Sequence, residues 1–165
     1  MDDLNLPKQR VIKTNAGIWK RTLAFFIDFI IIRIIILNPF ANAISQKLPI
    51  PEDLGTYFQF LQSNQELVQS FAPMMFAMSA LTLAYFVLFE YKMFQTPGMM
   101  LMKLKVEPEK HIKLNLWRVI LRNLFAFPIG PLFLLWIIEP IYVIVAKRRM
   151  TEIFSKTNTV MEVVI

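Results

Sequence analysis

The sequence predicts an all-α fold, a polytopic membrane helix bundle with two full spans and a C-terminal helical hairpin broken by proline and glycine. Three observations carry that class. The chain is 56% hydrophobic and 13% aromatic with only 18% charged residues, too apolar for an ordinary soluble domain of 165 residues. Two stretches, 17–38 and 70–91, each approach the roughly twenty apolar residues that cross a bilayer core of about 30 Å. The lysines and arginines behind the formal charge of +6 stand at the edges of apolar runs and not on one basic face. That is the pattern of membrane topology and argues against a nucleic-acid partner. With no cysteine and one histidine, His111, disulfides and thiol catalysis are excluded and a histidine triad has no support. No enzyme, metal or cofactor is expected.

Residues 1–16 are polar, with Lys8, Arg10 and Lys13 against Asp2 and Asp3, and are expected to form a loosely ordered cytoplasmic tail. They lack the short apolar core and small-residue cleavage site of a signal peptide, so the first span is expected to be retained. That span, 17–38, carries Asp28 near its middle. A carboxylate at the centre of a membrane helix costs about 3 kcal/mol on insertion scales, so Asp28 needs a partner inside the protein. Arg21 lies seven residues earlier, close to two turns, on the same side of the helix. The two are separated by about 10 Å along the axis, so direct contact requires the arginine to reach inward or a third group to bridge. Arg33 sits on a nearly opposite face, where it can snorkel to the outer interface.

Asn38, Pro39 and Phe40 are expected to end the first helix, and 39–69 to form an external loop. Within it Pro51, Glu52 and Asp53 mark a helix start, and Leu54, Tyr57, Phe58, Leu61 and Leu67 recur at helical spacing, as in an amphipathic helix on the membrane surface. The second span, 70–91, tolerates Pro73 in its first turn, and Ser79 and Thr82 suit helix packing. Glu90, at its inner end beside Lys92, is either interfacial or turned toward the first helix as a second acidic group.

The lysine-rich 92–113 connection reads as cytoplasmic. Thr96, Pro97 and Gly98 have turn chemistry, and 102–106 alternates like a short extended segment against the headgroups. The last apolar region, 114–146, contains PheProIleGlyPro at 127–131, which divides it into arms of 114–127 and 132–146. Basic residues at both ends put both on the cytoplasmic side. The first arm is short for a full crossing, so a re-entrant hairpin stays open beside a complete one. Arg118 or Arg122 is expected to pair with Glu139 across this hairpin, and 147–165 to form a cytoplasmic tail.

Three pieces, AGIWKRTLAFFID at 16–28, FQTPGMMLMKLKV at 94–106 and RRMTEIFSKTNTV at 148–160, resemble the RDD family of small membrane proteins. That family is named for an arginine and an aspartate of its first helix and a later aspartate. The resemblance assigns the first two roles to Arg21 and Asp28 and the third to Glu152. The chain departs from the pattern where Glu152 replaces aspartate, Thr151 stands in the place of a common histidine, and Met99 follows the turn where lysine is usual. The family looks transport-related. The resemblance therefore implies an ion- or proton-coupled transporter or transport accessory with Asp28 as the intramembrane site and Glu152, in an interfacial position, of milder effect. The alternative is a non-transporting scaffold that anchors a partner protein. The expected surroundings are the plasma (inner) membrane of a prokaryote, with both termini cytoplasmic and the lipid bilayer, a second copy or another membrane protein as partners.

Overall fold

The computed structural model describes residues 11–46, 53–127, 132 and 134–164. Its two longest elements are apolar rods. The first is α1, Ile18–Ile32, continued through a wide π-helical turn, Arg33–Leu37, into α2, Asn38–Ser45. The second joins α4, Gln65–Ser70, to α5, Ala72–Met93. Together they give helical stretches of 28 and 29 residues whose most apolar 18-residue windows have mean hydropathies of 2.2 and 1.8. At about 1.5 Å per residue, each exceeds the roughly 30 Å of a bilayer core. Only 17% of the most apolar part of each is buried within the protein.

The first helix does not stop at Asn38–Phe40 as expected. The π-helical turn moves the hydrogen-bond register so that Pro39, which has no N–H to give, falls in the first turn of α2, where a missing donor costs nothing. Pro73 occupies the same kind of position at the start of α5. In the loop between the rods, Asp53 caps α3, Leu54–Ser63, by accepting the Thr56 N–H at 2.6 Å, a contact worth about 1 kcal/mol. Pro51 and Glu52 of the expected helix start, and the side chains of Leu54, Tyr57, Phe58 and Leu61, lie outside the described residues.

The all-α expectation needs correction, because the chain also contains a three-stranded antiparallel sheet in the order β1-β3-β2. Its strands are β1, Val11–Asn15; β2, Leu104–Pro108; and β3, Thr157–Val164. Both expected tails therefore contain ordered strands, with Thr14 opposite Met161 and Val106 opposite Thr159. The extended segment expected near 102–106 is β2, but its hydrogen-bonding partner is β3. Leu104 and Val106 are fully buried and pack with Ala16, Ala24 and Met99 between the sheet and α1. Each such side chain contributes about 1.5–3 kcal/mol. Deeper along the rods, Phe25, Phe86 and Phe125 form an aromatic cluster with ring centroids 5.7–6.5 Å apart.

Between β2 and β3 the chain forms α7, Leu116–Arg122, a 3-10 turn at Leu124–Ala126, α8, Leu134–Ala146, and α9, Met150–Ser155. The expected first hairpin arm of 114–127 is thus cut to a seven-residue helix, about 10 Å long and far short of a crossing. Of the expected break, only Phe127 lies among the described residues; 128–131 lie outside them. The second arm is α8.

Candidate functional site

The site is built where the N-terminal end of α1 and the C-terminal end of α5 meet α7, α9 and β3. Glu152, on the inward side of α9, is completely buried and stands at its centre. Arg21 of α1 reaches Glu152 Oε2 at 3.0 Å, and Arg122 of α7 reaches Oε1 at 3.0 Å. The Thr159 hydroxyl of β3 donates to Oε1 at 2.6 Å, and the Arg149 backbone N–H donates to Oε2 at 3.2 Å. Arg122 continues to Glu90 of α5 at 3.2 Å, and Asn123 donates to the same carboxylate at 2.6 Å. The result is an alternating chain Glu90–Arg122–Glu152–Arg21 in which every side chain is at most 8% exposed. Two cations against two anions leave it neutral, the condition under which charges survive burial.

The hydroxyl-bearing face of β3 completes the coordination. Thr157 accepts from Arg122 at 2.9 Å, and Thr159 accepts from it at 2.7 Å while its backbone carbonyl takes Arg21 at 3.0 Å. Burial alone would push the Glu152 carboxyl up, but the guanidinium groups of Arg122, Arg149 and Arg21 and the Thr159 hydroxyl outweigh it and hold Glu152 down at about 2. Arg149 also lies over the Phe125 ring, 5.1 Å from its centroid.

Asp28 is a separate centre one layer further into α1. It is 1% exposed and forms no ion pair with any described lysine or arginine. Its carboxylate instead accepts three hydrogen bonds from neutral groups: the Tyr85 hydroxyl of α5 at 2.8 Å, the Thr96 hydroxyl at 2.5 Å and the Gly98 N–H at 2.8 Å. Thr96, Pro97 and Gly98 do more than turn the chain. Thr96 caps a short helix, α6, Pro97–Leu101, and that cap is seated on Asp28. Gly98 is required for the approach: a Cβ there would collide with the Ala24 carbonyl oxygen and stand 2.8 Å from Asp28 Oδ2. A narrow cleft, with room for about one water molecule, lies between the two centres and is lined by Arg21, Asp28, Glu90, Arg149 and Thr159.

The structure therefore brings together Arg21, Glu90, Arg122 and Glu152, with Asp28, Thr96 and Gly98 beside them. It separates other expected partners. Arg21 and Asp28 share a helix side but no contact, because Arg21 is engaged by Glu152 and Thr159. The expected ion pair across the hairpin is not formed. Arg122 is taken by Glu90 and Glu152, Arg118 donates to the Ser155 carbonyl at 3.2 Å, and Glu139 accepts the Thr151 N–H at the start of α9 at 2.8 Å. Glu90 is buried and not interfacial, but its partners are Arg122 and Asn123 at the end of α7 and not residues of the first helix. Glu152 is fully buried at the centre of the network. Thr82 bonds its own helix, donating to the Met78 carbonyl at 2.8 Å.

Sequence reasoning missed Tyr85, Asn123, Thr157 and Thr159. For the two threonines a signal existed, since TNTV alternates and places both on one face of a strand. Tyr85 and Asn123 carry no comparable local mark.

Apolar rods largely uncovered by protein, closed at one end by a buried charge network, define a helical protein of the membrane-associated class. The family model described as "RDD: RDD family" matches residues 15–154, and the chain belongs to that membrane-associated family. No curated protein and no solved structure matches the chain.

Proposed function

We propose that this chain is a transport-related membrane protein, an ion- or proton-coupled transporter or its accessory, in which Asp28 carries the ion. The observation behind this reading is the isolation of Asp28, a buried carboxylate held by three neutral donors, without a cationic partner among the described residues, beside a cleft that also reaches Arg21, Glu90 and Arg149. A carboxylate so placed in a membrane protein has a role beyond neutralising an arginine. Movement of α6 or Tyr85 away from it would remove its donors and change its affinity for a proton or small cation. The charge-balanced chain from Glu90 to Arg21 provides a fixed electrostatic wall.

Topology fits this reading. The sheet joins 11–15, 104–108 and 157–164, which supports the reading that the three segments lie on one side of the bilayer. The surrounding lysines and arginines support the cytoplasmic side as theirs, in line with the proposed plasma-membrane setting. Two long helices enclose little volume, so the working unit is a homodimer. A scaffold that anchors a partner protein is the second reading, favoured by one observation: each link of the charge network joins a different element, as assembly alone would require.

The two readings separate on ligand-induced stability. A cation that binds at Asp28 raises the unfolding midpoint of purified wild-type protein by mass action and leaves Asp28→Asn unmoved. Equal shifts in both proteins for sodium and for potassium would remove Asp28 as a cation site.

A further inference from the structure

The helix α9 is inside out for a water-soluble segment. It buries Thr151, Glu152 and Ser155, yet leaves Ile153 42% and Phe154 69% exposed. An amphipathic helix bathed in water turns its apolar stripe to the core. Its neighbour α7 also turns apolar side chains outward, leaving Leu116 47% and Trp117 64% exposed in its first turn while it buries Val119 and, at its last residue, Arg122. The Arg122–Glu152 ion pair and the bond from Arg118 to the Ser155 carbonyl hold α7 and α9 side by side on one polar core. Their outward faces are therefore neighbours. Around this patch Lys113, Lys147 and Lys156 are exposed. The nearest acids of the preceding connection are already engaged, Glu109 by Arg148 at 2.8 Å and Glu107 by another partner.

We propose that α7 and α9 form an interfacial platform that lies in the headgroup–acyl boundary of an anionic leaflet. Trp117, Ile153 and Phe154 insert, and Lys113, Lys147 and Lys156 meet lipid phosphates. Aromatic and aliphatic residues bordered by lysines match that boundary in both polarity and charge. The Glu152-centred network then sits just beneath the headgroups, screened from cytoplasmic water by its own helices. This inference uses the membrane setting of the proposed function and is independent of any ion flux.

The chain has no cysteine, so a fluorophore on Phe154→Cys is unique. The labelled full-length protein is placed in vesicles of phosphatidylcholine and phosphatidylglycerol in which one or the other carries bromine at mid-chain. The label at 154 is expected to be quenched, several-fold more by brominated phosphatidylglycerol than by the same fraction of brominated phosphatidylcholine. In the Lys113→Gln, Lys147→Gln, Lys156→Gln background the two lipids should quench equally. A label on Leu88→Cys, at a 56% exposed position of α5, reports whether the chain is in the bilayer at all. Quenching at 88 without quenching at 154 would overturn the platform and leave the membrane reading intact. Equal quenching at 154 by both lipids in the otherwise unsubstituted chain would overturn its preference for anionic lipid.

Discussion

Replacing Glu152 with glutamine tests the network at its centre. The substitution keeps the shape and removes the one anion shared by Arg21 and Arg122. The folded protein lowers the Glu152 carboxyl from 4.5 to about 2, which at about 1.4 kcal/mol per unit corresponds to about 3 kcal/mol of favourable interaction with the charged form. Breaking one partner out of a buried ion pair costs a similar 3–5 kcal/mol or so. Because the folded value is depressed, this stability is fully present above the unfolded value and is lost as pH falls toward the folded one. Thermal unfolding of the purified protein in detergent, as a function of pH, should show Glu152→Gln less stable than wild type by about 3 kcal/mol at neutral pH. The gap should close as the pH falls from 4.5 to about 2. A neutral-pH gap below about 1 kcal/mol, the size of an exposed ion pair, would refute the reasoning and restore Glu152 to the periphery.

Gly98→Ala should lower the unfolding midpoint through a loss of about 1–3 kcal/mol, since the new methyl group forces α6 away from Ala24 and Asp28; an unchanged midpoint would mean that α6 is not seated on α1 as described. For topology, an impermeant thiol reagent applied to intact cells should label Ser45→Cys and spare Lys110→Cys. Labelling at 110 with none at 45 would invert the orientation.

The apolar rods were legible because length and hydropathy are local properties, and Asp53 and Thr96 because caps and turns are written in adjacent residues. Arg21 and Asp28 stood out as charges on an apolar run, and Glu152 only through the resemblance to the RDD family. Their pairing did not. Seven-residue spacing correctly put Arg21 and Asp28 on one helix side, but the partner that Arg21 selects is 131 residues away, and nothing local encodes that distance. The sheet was missed for a related reason. VIKTN at 11–15 and TNTVMEVV at 157–164 are short strands within polar-looking ends, and each is stabilised by the other and not by its own sequence. Pro39 misled because a proline ends a helix only when the hydrogen-bond register demands its N–H, and the π-helical turn removes that demand.

The structure also simplifies the experiment on Asp28. Because Arg21 belongs to Glu152, Asp28→Asn removes a charge without leaving an arginine unpaired, and the single substitution should fold. Ion flux into vesicles reconstituted with wild type, Asp28→Asn and Asp28→Glu, driven in turn by proton, sodium and potassium gradients, is the most direct measurement. Flux in wild type, none in Asp28→Asn, and partial flux with a shifted pH dependence in Asp28→Glu are the predicted results. Full flux through folded Asp28→Asn would contradict the central claim.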